Sequence, residues 1–422
     1  MTDFSKPGRI LITCNRGLAP ALTLEQAEFG IKPEETLHTG VSIVGTLEDC
    51  IALNLRLRTA SQVLYSLRDF PCNNPDQLYR AINTIRWEEI LPCDGYFTVS
   101  SNVFHDTIRS GMFANVKVKD AIVDRMRKAT GERPDSGAEL LGAVVYLFWR
   151  NDKAEVFLDT SGDTLAKHGY RKRPGKAPMV EALAAGIVLS SRWDRKQAFV
   201  NPMCGSGTLA IEAALIATGR RPSLLREGYA MEHIVGFDAK AFKRERRFVA
   251  DEVRTRTDLK IIATDISREA IEISKANAAV AGVADLIEFK VCDFGDTPLP
   301  DGGGVVVFNP EYGERLGEED QLREVYSRIG DYLKQKCGGY WGYVFTGNLE
   351  LAKSIGLKTK RRMEFSTASL DCRLLEYELY AGTRKHPSRT TEAEAIPEIV
   401  ESVEQKVDVT ESSEATPNES HP

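Results

Sequence analysis

The sequence predicts an α/β protein, a parallel sheet with a nucleotide-type cleft behind a smaller α+β region. Three strand-to-turn segments predict it. Phe199–Val200–Asn201–Pro202 runs as a short apolar strand into Met203–Cys204–Gly205–Ser206–Gly207, and Thr208–Leu209–Ala210–Ile211–Glu212–Ala213–Ala214 then reads as a helix. Lys260–Asp265 is a second strand ending in an acid. Val305–Phe308 is a run of β-branched residues and a phenylalanine that stops at Asn309–Pro310–Glu311–Tyr312. Strands alternating with helices point to a parallel sheet whose carboxyl ends build the cleft.

The first part of the chain, to about residue 165, mixes short elements. Ile10–Thr13 and Tyr96–Ser100 read as strands, as does Val144–Trp149, while Leu18–Phe29 and Gln77–Arg86 read as helices. Thr39–Val44 and Leu53–Arg58 suggest further strand or helix pieces. Residues 117–129 predict a helix whose solvent face carries Lys117, Lys119, Arg125, Arg127 and Lys128. Such a face is explained either by ordinary solvation or, with Arg109, Arg133 and the run Arg171–Lys176, by contacts to nucleic-acid phosphates.

The second part, 166–385, begins with a helix predicted over 176–193, with Pro178 near its first turn and Met179, Leu183, Ile187 and Val188 on its apolar stripe. In the turn that follows the next strand, Gly205 and Gly207 allow a sharp bend and close approach of a ligand to the backbone. Ser206 and Thr208 are expected to cap the free amides of the helix start. No lysine follows the glycines, so this is not a Walker phosphate loop, and it lacks the full dinucleotide fingerprint. Asp265 suits a ribose diol, two hydroxyl donors against two carboxylate oxygens; the plainer alternative is a helix N-cap. Ser267–Ala281 is a helix stopped by Gly282. Leu286–Asp293 is another acid-terminated strand, and Asp293 can accept from an adenine amino group. Phe242–Arg256 and Asp320–Lys336 predict helices, Tyr340–Thr346 a buried strand, and Ser366–Tyr380 a closing hairpin.

At the third turn, proline cannot continue a central strand, so the chain must leave the sheet. The turn gathers the Asn309 amide, the Pro310 carbonyl and the Tyr312 ring. These suit a planar substrate with an amino group: two oxygens accept its N–H bonds and the ring stacks on its face. The bland alternative is a plain turn.

Composition narrows the class. Eight cysteines without Cys-x-x-Cys spacing and six histidines without a His-x-x-x-His pair give no metal site, and Cys204 is expected to be a packing residue. His105 and His168 are expected as surface groups, or groups near a bound nucleic acid, rather than metal ligands. Unpaired cysteines and an N-terminus without a charged-then-apolar segment predict a cytoplasmic protein with no membrane association. Residues 387–422 hold eight Glu and one Asp against Arg389 and Lys406, so a net charge of −7 leaves roughly +1 for residues 1–386. The segment 386–422 is predicted to be a disordered acidic extension.

With these motifs in view, the chain resembles the Rossmann-like S-adenosylmethionine-dependent methyltransferases. Asn201–Thr208 is similar to their glycine-rich motif, and Asn309–Tyr312 resembles the Asn-Pro-Pro-Tyr motif of enzymes that act on exocyclic amino nitrogens. The closer likeness is to THUMP-domain RNA guanine-N2 methyltransferases of the bacterial 23S ribosomal RNA type. It is carried by Ile10–Ala19, Val118–Arg125, Leu158–Gly162, His168–Arg171 and Leu370–Tyr377. The resemblance implies a ferredoxin-like and THUMP-type RNA-binding region over 1–165 and S-adenosylmethionine as cofactor. It further implies cofactor contacts from Asn201, Pro202, Cys204, Gly205, Ser206, Gly207, Thr208, Asp265 and Asp293, and catalysis by Asn309, Pro310 and Tyr312. RNA contacts are expected from Lys117, Lys119, Arg125 and Arg171, and Pro178 and Glu181 are secondary candidates beside the cofactor. The implied reaction is methylation of guanine N2 in ribosomal RNA. Transfer RNA guanine, adenine N6 and an impaired ribosome-assembly factor stay open. The family has proline where this chain has Glu311, which adds a charge beside the reacting amine.

Overall fold

The computed structural model describes residues 4–106, 108, 110–173, 178–256, 258–312, 319–367 and 370–380. The acidic segment 386–422, Arg109 and residues 174–176 of the basic run lie outside them. Two sheets organise the described residues. The first contains β1 (Gly8–Thr13), β2 (Glu35–Leu37), β3 (Gly40–Gly45), β4 (Gln62–Pro71), β5 (Tyr96–Phe104), β6 (Asp135–Gly137), β7 (Ala143–Arg150) and β8 (Lys153–Asp159). Their order is β2-β3-β1-β4-β8-β7-β5-β6, with helices α1 (Ala19–Ala27), α2 (Leu47–Arg56), α3 (Pro75–Asn83) and α4 (Gly111–Thr130).

Strand β4 joins the two halves of this sheet, pairing with β1 from Gln62 to Tyr65 and with β8 from Leu64 to Pro71. It escaped the sequence reading because Val63, Leu64 and Tyr65 are buried in succession, which erases a period-two signal. Of Leu53–Arg58, the first four residues form the end of α2 and Leu57 turns extended after it; the helix start is fixed by a capping box between Thr46 and Asp49. Helix α4 begins six residues before the predicted 117, because Met112, Phe113 and Val116 are exposed and give no inward stripe.

The second sheet contains β9 (Ala198–Pro202), β10 (Ile261–Asp265), β11 (Ile287–Val291), β12 (Gly304–Phe308), β13 (Tyr340–Thr346), β14 (Arg361–Thr367) and β15 (Leu370–Glu378). The order is β11-β10-β9-β12-β13-β15-β14, parallel through β13 and antiparallel beyond. Around it lie α5 (Glu181–Ser190), α6 (Thr208–Ala217), α7 (Ala239–Asp251), α8 (Arg268–Ala281), α9 (Glu319–Lys336) and α10 (Leu349–Lys353). Helix α5 is shorter than the predicted 176–193: Val180 is extended at its start and Ser191 at its end.

Side chains alternate across the central strands. Val200, Val306 and Phe308 pack with Tyr326, Ile329 and Leu333 of α9, while Phe199, Val305 and Val307 join the core that holds α5 and α6. Burial on both faces is what makes these strands read as continuous apolar runs. Strand order reverses between β9 and β12, since the chain passes from β9 outward to β10 and β11 before returning to β12. A ligand crevice forms at the carboxyl ends on either side of such a reversal.

Candidate cofactor and substrate cleft

The glycine turn leaves β9 at that crevice. Gly205 and Gly207 have φ of +56° and +80°. A Cβ on Gly207 would lie 2.9 Å from Ser274 Cβ and Oγ, whereas a Cβ on Gly205 would meet no atom within 4 Å. Gly207 therefore closes the turn onto α8, and Gly205 faces open space. Met203 also has positive φ, +53°, the one such non-glycine residue in this turn. Helix α8 braces the turn from behind: Ser274 Oγ donates to the Gly205 carbonyl at 2.7 Å, and Asn277 Nδ2 to the Ser206 carbonyl at 3.3 Å. Ser274 carries no signal of this tie in the sequence, since the contact needs the fold to be seen.

The predicted capping of α6 is not what the structure shows. Gly207 is the N-cap residue and no side chain caps the helix. Ser206 and Thr208 hydroxyls instead bond each other at 3.2 Å, and Thr208 Oγ1 also accepts from Arg171 Nη2 at 3.0 Å. The amide end of α6 stays directed at the cleft, a setting that favours a negative or acceptor group.

Asp265 ends β10. Its Oδ2 accepts from the Gly205 amide and its Oδ1 from the Ser267 amide, both at 2.9 Å. The N-cap of α8 is Ser267, so the N-cap alternative for Asp265 falls. Each Asp265 oxygen has a lone pair to spare. Asp293 accepts from the Gly295 amide at 2.8 Å and from Arg328 at 2.7 Å, both on Oδ1. Burial opposes its charge, but the Arg328 guanidinium and the amide hold its carboxyl below the usual range. Cys204 is buried, and that burial pushes its thiol up to about 12, which leaves it a packing group.

Asn201 and Pro202 end β9 and are buried. Asn201 Nδ2 donates to the Val307 carbonyl at 2.9 Å, tying β9 to β12 just past the Val200–Val306 pair. That bond brings the Asn309 turn beside the glycine turn. Asn309 Oδ1 is buried and has no hydrogen-bond partner among the described residues. An unpaired buried acceptor is unfavourable by about 1–3 kcal/mol unless a donor arrives. Pro310 is buried, Glu311 exposed and Tyr312 half-buried. The Tyr312 ring is seated on Gly347, just beyond β13: a Cβ there would lie 3.2 Å from its Cδ2 and Cε2.

The residues assigned to RNA separate. Arg171 does not lie on an open face. It is largely buried, with Nη2 on Thr208 Oγ1 and the Met179 carbonyl, and Nη1 3.3 Å from Glu181 Oε2. Its Nε is buried without a hydrogen-bond partner among the described residues. The Arg171–Glu181 pair thus stands at the start of α6 with the glycine turn. Pro178 precedes it, outside α5. Arg125 is held by Glu88 through two hydrogen bonds, and Lys119 lies 3.2 Å from Asp120. Lys117 sits 6.0 Å above the Phe113 ring.

His168 is likewise not at the surface. Its ring is buried, with Nδ1 2.7 Å from Glu212 Oε1 and Nε2 2.8 Å from the Arg58 carbonyl. Two acceptors on two ring nitrogens require both to carry protons. Burial alone would lower its pKa, but the Glu212 carboxylate outweighs it and raises the value. Tyr170 donates to the same Glu212 oxygen at 2.8 Å. His105 is half-buried, its ring 4.9 Å from that of Trp149. Among the described residues no cluster of three or more His, Cys, Asp or Glu could hold a metal, and no helix is long and apolar enough to cross a membrane.

A doubly-wound sheet with a glycine turn and an asparagine-proline turn at its reversal, behind an eight-stranded α+β sheet, defines a methyltransferase fold joined to an accessory region. Family models match the chain in the same sense: an RlmL ferredoxin-like domain over 9–64, a THUMP domain over 72–159 and an RMKL-like methyltransferase domain over 168–376. The chain belongs to this family of THUMP-domain, RMKL-like methyltransferases. It is 36% identical to a ribosomal RNA large subunit methyltransferase K/L of Syntrophotalea carbinolica over 88% of its own length and 54% of that protein's. With the protein of the same name from Psychromonas ingrahamii the identity is 35%, over 86% and 49% of the two chains. The chain therefore spans about half the length of the curated relatives it matches. Among solved structures it is similar to a predicted N6-adenine-specific DNA methylase of Listeria monocytogenes, with a TM-score of 0.80, 31% identity and 89% and 97% of the two chains covered. It is also similar to a putative methyltransferase crystallised with SAH, with a TM-score of 0.81, 25% identity and 90% and 100% coverage.

Proposed function

We propose that this chain methylates the exocyclic N2 of a guanine in 23S ribosomal RNA, with S-adenosylmethionine as donor. The cofactor follows from the fold family and from the SAH-bound neighbour. The large-subunit relatives, the THUMP domain and the cleft support the target. The single observation that carries the reading is the buried, unpartnered Oδ1 of Asn309 at the end of β12, next to the glycine turn.

The residues fit such a donor. Gly205 leaves room for it, the spare lone pairs of Asp265 meet ribose hydroxyls, and Asp293 accepts from the adenine amino group. Arg171 and Glu181, paired through Nη1 and Oε2 with the Arg171 Nε left over among the described residues, match the opposite charges of the donor's amino-acid end. When bound, S-adenosylmethionine supplies an electrophilic methyl on a sulfonium.

Guanine N2 is a poor nucleophile because its lone pair is delocalised into the ring. Asn309 Oδ1 and the Pro310 carbonyl accept the two N2 protons, which fixes the amine and directs its lone pair along the line of transfer. Tyr312, anchored on Gly347, holds the face of the extruded base. Positioning and electrostatics supply the acceleration, with no covalent enzyme intermediate. On the RNA side, Lys117 over Phe113 with exposed Met112 offers a cation and apolar surface together. An RNA target of this kind places the protein in the cytoplasm.

The test is methyl transfer from tritiated S-adenosylmethionine to unmodified 23S ribosomal RNA, followed by nucleoside analysis. N2-methylguanosine is the expected product. N6-methyladenosine, or no transfer to any RNA, would refute the reading.

A further inference from the structure

The turn after β12 departs from its family's pattern at one position, and the departure adds a charge. Glu311 stands between two residues held by packing: Pro310 is buried, and the Tyr312 ring is seated on Gly347. Glu311 itself is exposed, and no hydrogen bond or ion pair engages it among the described residues. Two residues earlier is the unpartnered Asn309 Oδ1. One four-residue turn thus offers an incoming base two side-chain acceptors, an amide oxygen and a carboxylate, neither one satisfied among the described residues.

Adjacent acceptors read adjacent donors. Guanine presents N1–H beside its N2 amino group. Adenine and cytosine place a lone pair on the ring nitrogen beside theirs, which a carboxylate repels. We infer that Glu311 accepts the N1–H of the target guanine and thereby selects guanine over bases whose amino group neighbours an acceptor nitrogen. This rests on the guanine-N2 reading above and names the residue that enforces it. A proline at this position has no side-chain acceptor and leaves the choice to the asparagine and the backbone.

The contact also acts on rate. A carboxylate on N1–H pushes electron density into the ring and toward N2, offsetting part of the delocalisation that weakens that nucleophile. In the transfer, the N2 lone pair forms the new C–N bond as the C–S pair returns to sulfur. One N2 proton then leaves to water, and N1 keeps its proton.

The experiment uses the full chain. The nucleotide modified by the wild type in a 23S ribosomal RNA transcript is mapped, and the RNA is rebuilt by ligation with guanine or 2-aminopurine there. 2-Aminopurine keeps the amino group but replaces N1–H with a lone pair. The wild type should prefer guanine by about 10- to 100-fold in kcat/KM. Glu311→Leu should bring the two bases within a few fold, chiefly by lowering transfer to guanine. Glu311→Gln, whose amide can present either oxygen or NH2, should fall between. An equal loss on both bases, or a guanine preference unchanged in Glu311→Leu, overturns the inference. A wild type that places no methyl on guanine N2 overturns the functional reading instead. Glu311 is exposed, so unchanged unfolding midpoints serve as the control.

Discussion

Alanine at the two glycines of the cofactor turn should have opposite consequences. At Gly207, φ of +80° disfavours any L-residue by about 1–2 kcal/mol. The new Cβ would also lie 2.9 Å from the Ser274 side chain, which cannot retreat without releasing the Gly205 carbonyl it holds at 2.7 Å. Overpacking of this kind adds about 1–3 kcal/mol, so Gly207→Ala should destabilise by about 2–5 kcal/mol. At Gly205, φ of +56° brings only the backbone part, about 1–2 kcal/mol, since the Cβ meets nothing within 4 Å. On the proposed function the donor approaches through that open space, so Gly205→Ala should weaken binding while sparing most of the stability. Urea unfolding and calorimetric titration with S-adenosylhomocysteine measure the two effects separately. Measured against Ser274→Gly alone, the double variant Gly207→Ala/Ser274→Gly should lose only the backbone part. A Gly205→Ala protein that binds S-adenosylhomocysteine like the wild type, or a Gly207→Ala protein of wild-type stability, would refute the assignment of the two faces.

Asn309→Ala should lower single-turnover methyl transfer by about 100-fold, in the range seen when one preorganised hydrogen-bonding group is removed from an active site. S-Adenosylhomocysteine affinity should barely change, and unchanged transfer would remove Asn309 from the chemistry. For His168 the sign follows from its raised pKa. The folded state binds the proton more tightly than the unfolded chain, whose value is near the ordinary 6.5. Its contribution is therefore complete below about pH 6.5 and is lost as pH rises through the folded value. His168→Ala should lose about 3–5 kcal/mol at pH 6, by leaving the buried Glu212 carboxylate unpaired, and its deficit should shrink toward alkaline pH. A deficit independent of pH would show that the imidazolium is not the stabilising form.

Much of the cleft was legible because its residues are adjacent in sequence. Strand, turn and helix follow one another in Phe199–Ala214 and again in Val305–Tyr312, so local chemistry alone marks the turn and its open side. Tyr340–Thr346 was read to the residue, since burial on both faces writes a continuous apolar run between glycine and polar stops. What escaped depends on contacts distant in sequence. Arg171 looks like the first member of a basic linker, and only the fold shows that Thr208 and Glu181 enclose it. His168 reads as a lone histidine until Glu212 and the Arg58 carbonyl close on it from residues 44 and 110 positions away. Lys119 and Arg125 follow a basic helical stripe, yet Asp120 and Glu88 compensate their charge.

These distant contacts converge on one helix. α6 is held at its first residue by Arg171 on Thr208 and, one turn later, by His168 on Glu212. His168 in turn grips the Arg58 carbonyl, and Arg58 and Thr59 amides are capped by the buried Glu25 carboxylate of α1. A chain of buried polar contacts therefore runs from the ferredoxin-like region to the glycine turn. Each member of it is held through its neighbour, and removing one leaves a buried charge or carbonyl without that partner. The accessory region is for this reason part of what fixes the cleft. Its removal would strip His168 of one acceptor and leave α6, and with it Gly205, without its outer anchor.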